Sequence, residues 1–472
     1  MSTQEQLHSG RRSKIKRGFA LSVLATLALV TAFPSTSRAD AVTRWNEIAT
    51  TVTTPPGTTN LASPYQSRIY AMTHAAVHDA LNAIERRYQP YALSGQIDPG
   101  ASPEAAVAAA AYGVLLHEVP ARQPILYAEY LAALAGIPDG EAKDRGVAVG
   151  QAAAAAIIAL RSGDSSAAQV TYTPGTEPGQ WRPTPPNFLP ALAPGWGYVT
   201  PFALKSGSRY RPDPSAYFDL NSEAYAQDYD EVKSIGQAVS ATRTAEQSEI
   251  ARFWYESSPP GWNRIARNVA AGQGLDLWSN ARLFGLVNLA LADGYISSFE
   301  AKYFYNFWRP VTAIRAGDQD GNSSTVADPG WTSFLVTPPI PDNSSGHAVA
   351  GAAVAEVLAR FFGSDDIPFT TISGPPFPGI TRSFSSFSQA AQENADSRIY
   401  AGIHFRSATE DGLRQGEKVG RFVSNHSLKP VRGRQASDRF LKPVRASKPS
   451  VARRAPDGDS EDHPDGRARR QP

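Results

Sequence analysis

The sequence predicts an all-α fold, and three observations carry that prediction. Apolar residues recur at spacings of three and four along much of the chain, strict alternation is scarce, and several segments are rich in alanine, which packs helices at short distance. With 472 residues and 42% hydrophobic content, the chain can bury one large core or two.

Taken in order, residues 64–88 read as a helix with Tyr70, His74, Val77, His78, Leu81 and Ile84 at helical spacing. His74 and His78 stand at i and i+4, as in some zinc helices. No glutamate or third ligand stands in the expected place, so packed, hydrogen-bonded histidines are the better reading. Ser102-Pro103-Glu104 opens an Ala-rich helix to about His117, and another runs from Gly140 to Arg161 and stops at Gly163. Residues 171–213 form a long loop of Pro, Gly, Trp and Tyr; such a loop is functional or wraps a neighbouring surface. Helices resume by Ser222, and Thr244-Ala245-Glu246-Gln247 is a capping box for a helix to about Tyr255. Two more helices are predicted over 275–291 and 295–308, and another over 346–358 after a Pro-rich loop. A later helix ends near Gly402, and Ser407 to Glu410 forms a capping box for the last one.

The two ends read differently from the middle. Residues 1–39 combine a basic region (Arg11, Arg12, Lys14, Lys16, Arg17), an apolar run and the small-residue site Ser37-Arg38-Ala39, which together read as an export signal. The paired arginines suggest the twin-arginine route, so a secreted or periplasmic location is expected, with no integral membrane span in the mature chain. Residues 428–472 are rich in Arg, Pro and Asp and repeat Leu-Lys-Pro-Val-Arg at 428–432 and 441–445, and they read as a disordered basic tail. Lys/Arg outnumber Asp/Glu by 12 to 6 in that tail and by 6 to 1 before residue 40, so a total of +2 leaves the middle, residues 40–427, near −9. An acidic body excludes nucleic acid as the main partner. With no cysteine there are no disulfides, no thiol chemistry and no Cys-based metal site, and Met72 is the one methionine outside residues 1–39.

The candidate chemistry gathers in the C-terminal half. Ser345-Gly346-His347 stands where a Pro-rich loop enters an apolar helix, and a first helical turn offers free N–H groups and a positive dipole end to an anion. Gly346 lets an oxyanion approach the backbone, Ser345 adds a hydroxyl, and His347 can move a proton near neutral pH. Lys302 and Arg309 are seven apart, which on a single helix places both on one face, where a point charge and a bidentate fork grip one polyoxyanion. Arg398 supplies a third cation, and His404 sits at the junction between two helices. The second Trp-Arg-Pro, at Trp181 to Pro183, has Gly175 where a lysine would stand and reads as loop structure.

In that order, Lys302-x6-Arg309-Pro310, Ser345-Gly346-His347 and Ser397-Arg398-x5-His404 resemble the three-part signature of the vanadium-dependent haloperoxidases, whose superfamily includes the type 2 phosphatidic acid phosphatases and bacterial acid phosphatases. The resemblance implies a build of two four-helix-bundle-like halves with long Pro/Trp-rich loops. It implies vanadate as cofactor, with phosphate able to occupy the same site. Lys302, Arg309, Ser345, Gly346 and Arg398 would hold the oxyanion, His404 would be the ligand of vanadium, and His347 the acid/base. Hydrogen peroxide, halide and a small organic molecule would be the substrates. The alternatives on the same pocket are an acid phosphatase with a phosphohistidine at His404 and a secreted phosphate-binding protein without turnover. Three positions depart from the pattern: Ser344 replaces a proline, Ala408 an aspartate four residues after the last histidine, and Ile340 a position that differs between bromo- and chloroperoxidases. If a carboxylate orients His404 here, Asp411 or Asp293 is expected to supply it.

Overall fold

The computed structural model describes residues 40–55, 60–95, 97–214 and 216–431. The predicted export signal and all but the first four residues of the predicted tail lie outside these. Thirteen α-helices and one two-stranded hairpin make up the regular structure of the described residues.

The first half contains α1 (Ala41–Thr53), α2 (Ser63–Asn82), α3 (Pro103–Glu118), α4 (Gln123–Ala135) and α5 (Glu141–Arg161). The middle contains α6 (Glu223–Ile235), α7 (Ala245–Phe253), α8 (Ser258–Ala271) and α9 (Leu277–Tyr305), followed by the short α10 (Pro310–Arg315). The remainder is α11 (Gly346–Phe362), the hairpin of β1 (Phe369–Ile372) and β2 (Thr381–Phe384), α12 (Phe387–Tyr400) and α13 (Arg406–His426). No helix among the described residues is long and apolar enough to cross a membrane.

Two bundles form around α9. α2, α3 and α5 pack on one another, with α2 on α9; α11, α12 and α13 pack together, with α11 and α13 on α9. The two expected halves therefore share a helix. The sequence reading places two helices here, over 275–291 and 295–308, with Ala292-Asp293-Gly294 between them. In the structure the helix runs on. The buried Asp293 carboxylate accepts N–H bonds from Phe202, Ala203 and Leu204 (2.5–2.8 Å), pinning the long loop to the helix, and Gly294 lets α11 approach, since a Cβ there would stand 3.3 Å from Val349 Cγ1.

Small residues set the other close contacts. Gly412, Gly416 and Gly420 line one stripe of α13 against α11, and a Cβ at Gly412 would lie 2.8 Å from Ala348 Cβ and 2.9 Å from Ser345 O. The capping box at Thr244 forms as predicted, with Gln247 returning the bond. The one predicted at Ser407 does not: α13 starts two residues earlier, with Phe405 as its N-cap, and the Ser407 N–H is taken by Asp228 Oδ2 at 2.9 Å. Leu428 to Val431, assigned above to a disordered tail, are part of the fold. Leu428 is buried, Arg282 Nε donates to its carbonyl (2.9 Å), Gln89 N–H donates to Lys429 O (2.7 Å) and Val431 N–H to Arg87 O (3.0 Å).

Candidate functional site

Lys302 lies in the last turn of α9, where Asn306 closes the helix in the left-handed conformation (φ 52°). The chain then turns, and Arg309 is the N-cap residue of α10, with Pro310 in its first turn. Lys302 and Arg309 therefore do not share a helix face, as their spacing suggested; α9 ends between them at Asn306. That junction is held by the long loop: Trp181 N–H donates to Asn306 O (2.8 Å), Trp308 N–H donates to Gly179 O (2.9 Å), and the Tyr172 hydroxyl donates to Asn306 Oδ1. The loop's fully buried Trp181 serves structure, as read from the sequence.

Both cations are fully buried, and each is aimed by main-chain carbonyls. Lys302 Nζ donates to Pro341 O (3.0 Å) and Asp342 O (2.8 Å), and Arg309 donates from Nε to Ile340 O and from Nη1 to Ile403 O (both 2.6 Å). Arg398, in the last turn of α12, donates from Nη1 to Trp254 O (3.0 Å). Burial and the other cations push Lys302 well below its ordinary pKa, and burial lowers Arg309 and Arg398 to about 10. What is left over defines the site. Arg309 Nη2, Arg398 Nε and Ser345 Oγ are buried without a hydrogen-bond partner. Ser345 is the N-cap residue of α11, yet its hydroxyl makes no capping bond. Unmet donors of this kind at the start of a helix fit an anion with several oxygens.

The two histidines occupy different settings. Arg309 Nη1 stands 3.0 Å from His404 Nε2; guanidinium only donates, so Nε2 accepts and the ring proton of the neutral form is on Nδ1. Burial and the charges of Arg309, Lys302 and Arg398 push His404 well below its ordinary pKa, keeping it neutral. His347 Nε2 lies 2.9 Å from Glu256 O; a carbonyl only accepts, so here Nε2 carries the proton and Nδ1 the lone pair. Its pKa is also well lowered, by burial and then by Arg398. Asn394 Nδ2 donates to His347 O (3.0 Å), tying α12 to the start of α11. Arg309 and His404 thus meet directly, Lys302 joins them through residues 341–342, and the charge of Arg398 is felt at Lys302 and both histidines.

Neither expected carboxylate reaches His404. Asp293 is engaged with the long loop, and Asp411 accepts from Asn343 Nδ2 (2.6 Å) and Arg414 Nη2 (2.6 Å). The carboxylate beside the ring is Asp342, fully buried, with Oδ1 2.8 Å from His404 Nδ1 and 3.7 Å from Arg309 Nη1. The approach is off the ring N–H line, so no aligned hydrogen bond is completed. Burial pushes Asp342 up to about 7 against the opposing pull of Arg309 and Lys302. Its neighbour Ser345 was legible in the sequence; Asp342 was not, because its partner comes from a distant segment.

His74 and His78 are the packed histidines expected. Asn46 Nδ2 donates to His74 Nε2 (2.8 Å), Asn82 Nδ2 lies 3.2 Å from His78 Nε2, and burial lowers His74 to about 3. No metal-binding cluster of His, Asp or Glu is found among the described residues. A cleft of about 320 Å³ in the long loop, bordered by Tyr65, Tyr172 and Trp196, is lined by none of the candidate site residues.

Residues 282–433 match the VCPO second helical-bundle domain. The vanadium chloroperoxidase of Curvularia inaequalis is 25% identical over 485 residues, spanning 77% of this chain and 78% of that protein. The structure superposes on a bacterial vanadium-dependent iodoperoxidase with a TM-score of 0.70 and 28% identity, covering 82% of this chain and 96% of the other. The holo form of a bacterial vanadium-dependent chloroperoxidase shares the fold with a TM-score of 0.67 and 17% identity, over 82% and 97% of the two chains. In its second bundle the chain matches the vanadium chloroperoxidase helical-bundle domain, and over most of its length it shares the fold of vanadium haloperoxidases, with unmet cationic donors beside two neutral histidines.

Proposed function

We propose that the protein is a vanadium-dependent haloperoxidase, using hydrogen peroxide to oxidise halide to a hypohalous species that halogenates organic molecules. The observation that carries this reading is a set of buried donors without partners, Arg309 Nη2, Arg398 Nε and Ser345 Oγ, one of which belongs to the guanidinium that also meets His404 Nε2. Lys302, Arg309 and Arg398 would neutralise the oxygens of vanadate, Ser345 Oγ and the Gly346 N–H would complete the cradle, and His404 Nε2 would be the protein ligand. Bound vanadate would supply a Lewis acid that polarises peroxide toward attack by halide, with no change in its own oxidation state.

The protein's part is binding and proton transfer. Fixed, desolvated cations favour a highly charged anion and cost little reorganisation. With Nε2–H held by Glu256 O, His347 has Nδ1 free to take a proton from incoming peroxide and return it to the departing oxygen. Its lowered pKa keeps that nitrogen in the basic form at neutral pH.

Phosphate is isosteric with vanadate, so the test runs both chemistries. Phosphate-free protein is given orthovanadate or phosphate, then assayed for halide- and peroxide-dependent halogenation of a diketone and for hydrolysis of an aryl phosphate. Vanadate-dependent halogenation that phosphate blocks is expected. Hydrolysis without halogenation would overturn the reading in favour of a phosphatase, and anion binding without either turnover would indicate a binding protein.

A further inference from the structure

We propose that Asp342 is the positioning residue for His404, a carboxylate supplied by the loop ahead of Ser345 in place of one on the helix that follows the histidine. The inference rests on the vanadate-site reading above and deepens it.

Three observations support it. Asp342 Oδ1 is 2.8 Å from His404 Nδ1, the nitrogen that carries the proton once Arg309 Nη1 has made Nε2 the acceptor. The position four residues past His404, on α13, is Ala408, and the nearby acid Asp411 is committed to Asn343 and Arg414. The main-chain oxygen of the same Asp342 receives Lys302 Nζ at 2.8 Å, so one residue of one loop aims both the cation and the ligand histidine.

Electrostatics sharpens the case. A buried carboxylate next to an anion site repels the anion, so charge alone would disfavour an acid at this position. Its presence is accounted for if its gain is made through the ring. With Asp342 Oδ1 2.8 Å from Nδ1, a small rotation that aligns the N–H with the carboxylate would keep Nε2 unprotonated and turned to the cations. A carboxylate partner also makes Nε2 a better donor. The effect belongs to an anion that bonds to Nε2 and not to one that is only held by charge.

That difference is the test. Full-length wild type and Asp342→Asn are titrated calorimetrically with orthovanadate and, separately, with inorganic phosphate. Asp342→Asn is expected to weaken vanadate about 10- to 100-fold, while phosphate binds no more weakly than before, because a repelling charge has gone. In a His404→Ala background the same substitution is expected to add no further loss of vanadate affinity. Unchanged or tighter vanadate binding by Asp342→Asn overturns the inference, as does a parallel loss of both anions. A wild type that binds neither anion overturns the site reading itself. Because Asp342→Asn is a core substitution, a second measurement uses the unaltered protein. Nitrogen NMR of labelled histidine, with His404 assigned through His404→Ala, should show its ring protonated at Nδ1; protonation at Nε2 overturns the proposal.

Discussion

Two buried histidine clusters invite comparison. In the first bundle, His74, His78 and Asp79 lie on α2, and His74 Nδ1 is the one buried side-chain atom of these three residues left without a partner. Asp79 accepts the N–H groups of Tyr91, Ala92 and Leu93 at 2.6–2.7 Å, and His74, Asn46, Asn263 and Asn288 form one chain of side-chain bonds. In the second, Asp342 and His347 come from one segment and His404 from another, three cations lie near them, and several buried donors and acceptors stay unmet. Burial is equally deep at both aspartates and at His74 and His404. The difference lies in satisfaction. A polar cluster whose members mostly answer one another serves the fold, whereas several cationic donors left over together offer a place for an anion.

The most damaging way to break the contrast is to remove a leftover cation. Arg398→Ala should lower kcat/KM for halide oxidation by about two to three orders of magnitude, the usual scale for one preorganised donor. Phosphate is expected to raise the melting temperature of the wild type and to leave that of Arg398→Ala unchanged. Next comes the packing that brings the two halves of the site together. Gly416→Val thrusts a side chain at α11, where a Cβ would already lie 2.9 Å from Ala352 Cβ, and should cost about 1–3 kcal/mol in denaturant unfolding. Removing a member of the first cluster should cost stability alone. His74→Ala is expected to lose about 1–3 kcal/mol while its vanadate affinity, read by calorimetry, stays at the wild-type value.

The smallest effect is in pH dependence. His74 is held near pKa 3 in the fold, against 6.5 for the free side chain. Below pH 6.5 the unfolded chain takes up a proton that the native protein refuses, so stability contributed by neutral His74 is present above 6.5 and is lost as pH falls toward 3. A His74→Ala variant should therefore show a shallower fall of melting temperature with acid over that window.

Much of the site was legible because its pieces are short and contiguous. Ser345-Gly346-His347 and Ser397-Arg398-x5-His404 each sit on one segment, so spacing alone aligns them with the family's pattern. Asp342 escaped because its contact depends on how α13 packs on α11, which no local pattern encodes. The continuity of α9 escaped for a related reason. Asp293-Gly294 breaks a helix by propensity, but three backbone donors from the long loop and a close neighbour on α11 compensate. The helices α1, α4 and α8 went unread as well; α4 buries only Leu126, so no apolar face stands out from its sequence.

The shared helix bears on how such proteins can be recombined. The matched second bundle begins at Arg282, a few residues into α9, so the natural module border falls inside one continuous rod and not in a linker. A fragment starting there would present to water the side of α9 that normally meets α2. Chimeras between relatives should work when the splice leaves α9 and both its coats from one parent, and whole-chain unfolding should be a single event in which neither bundle outlives the other.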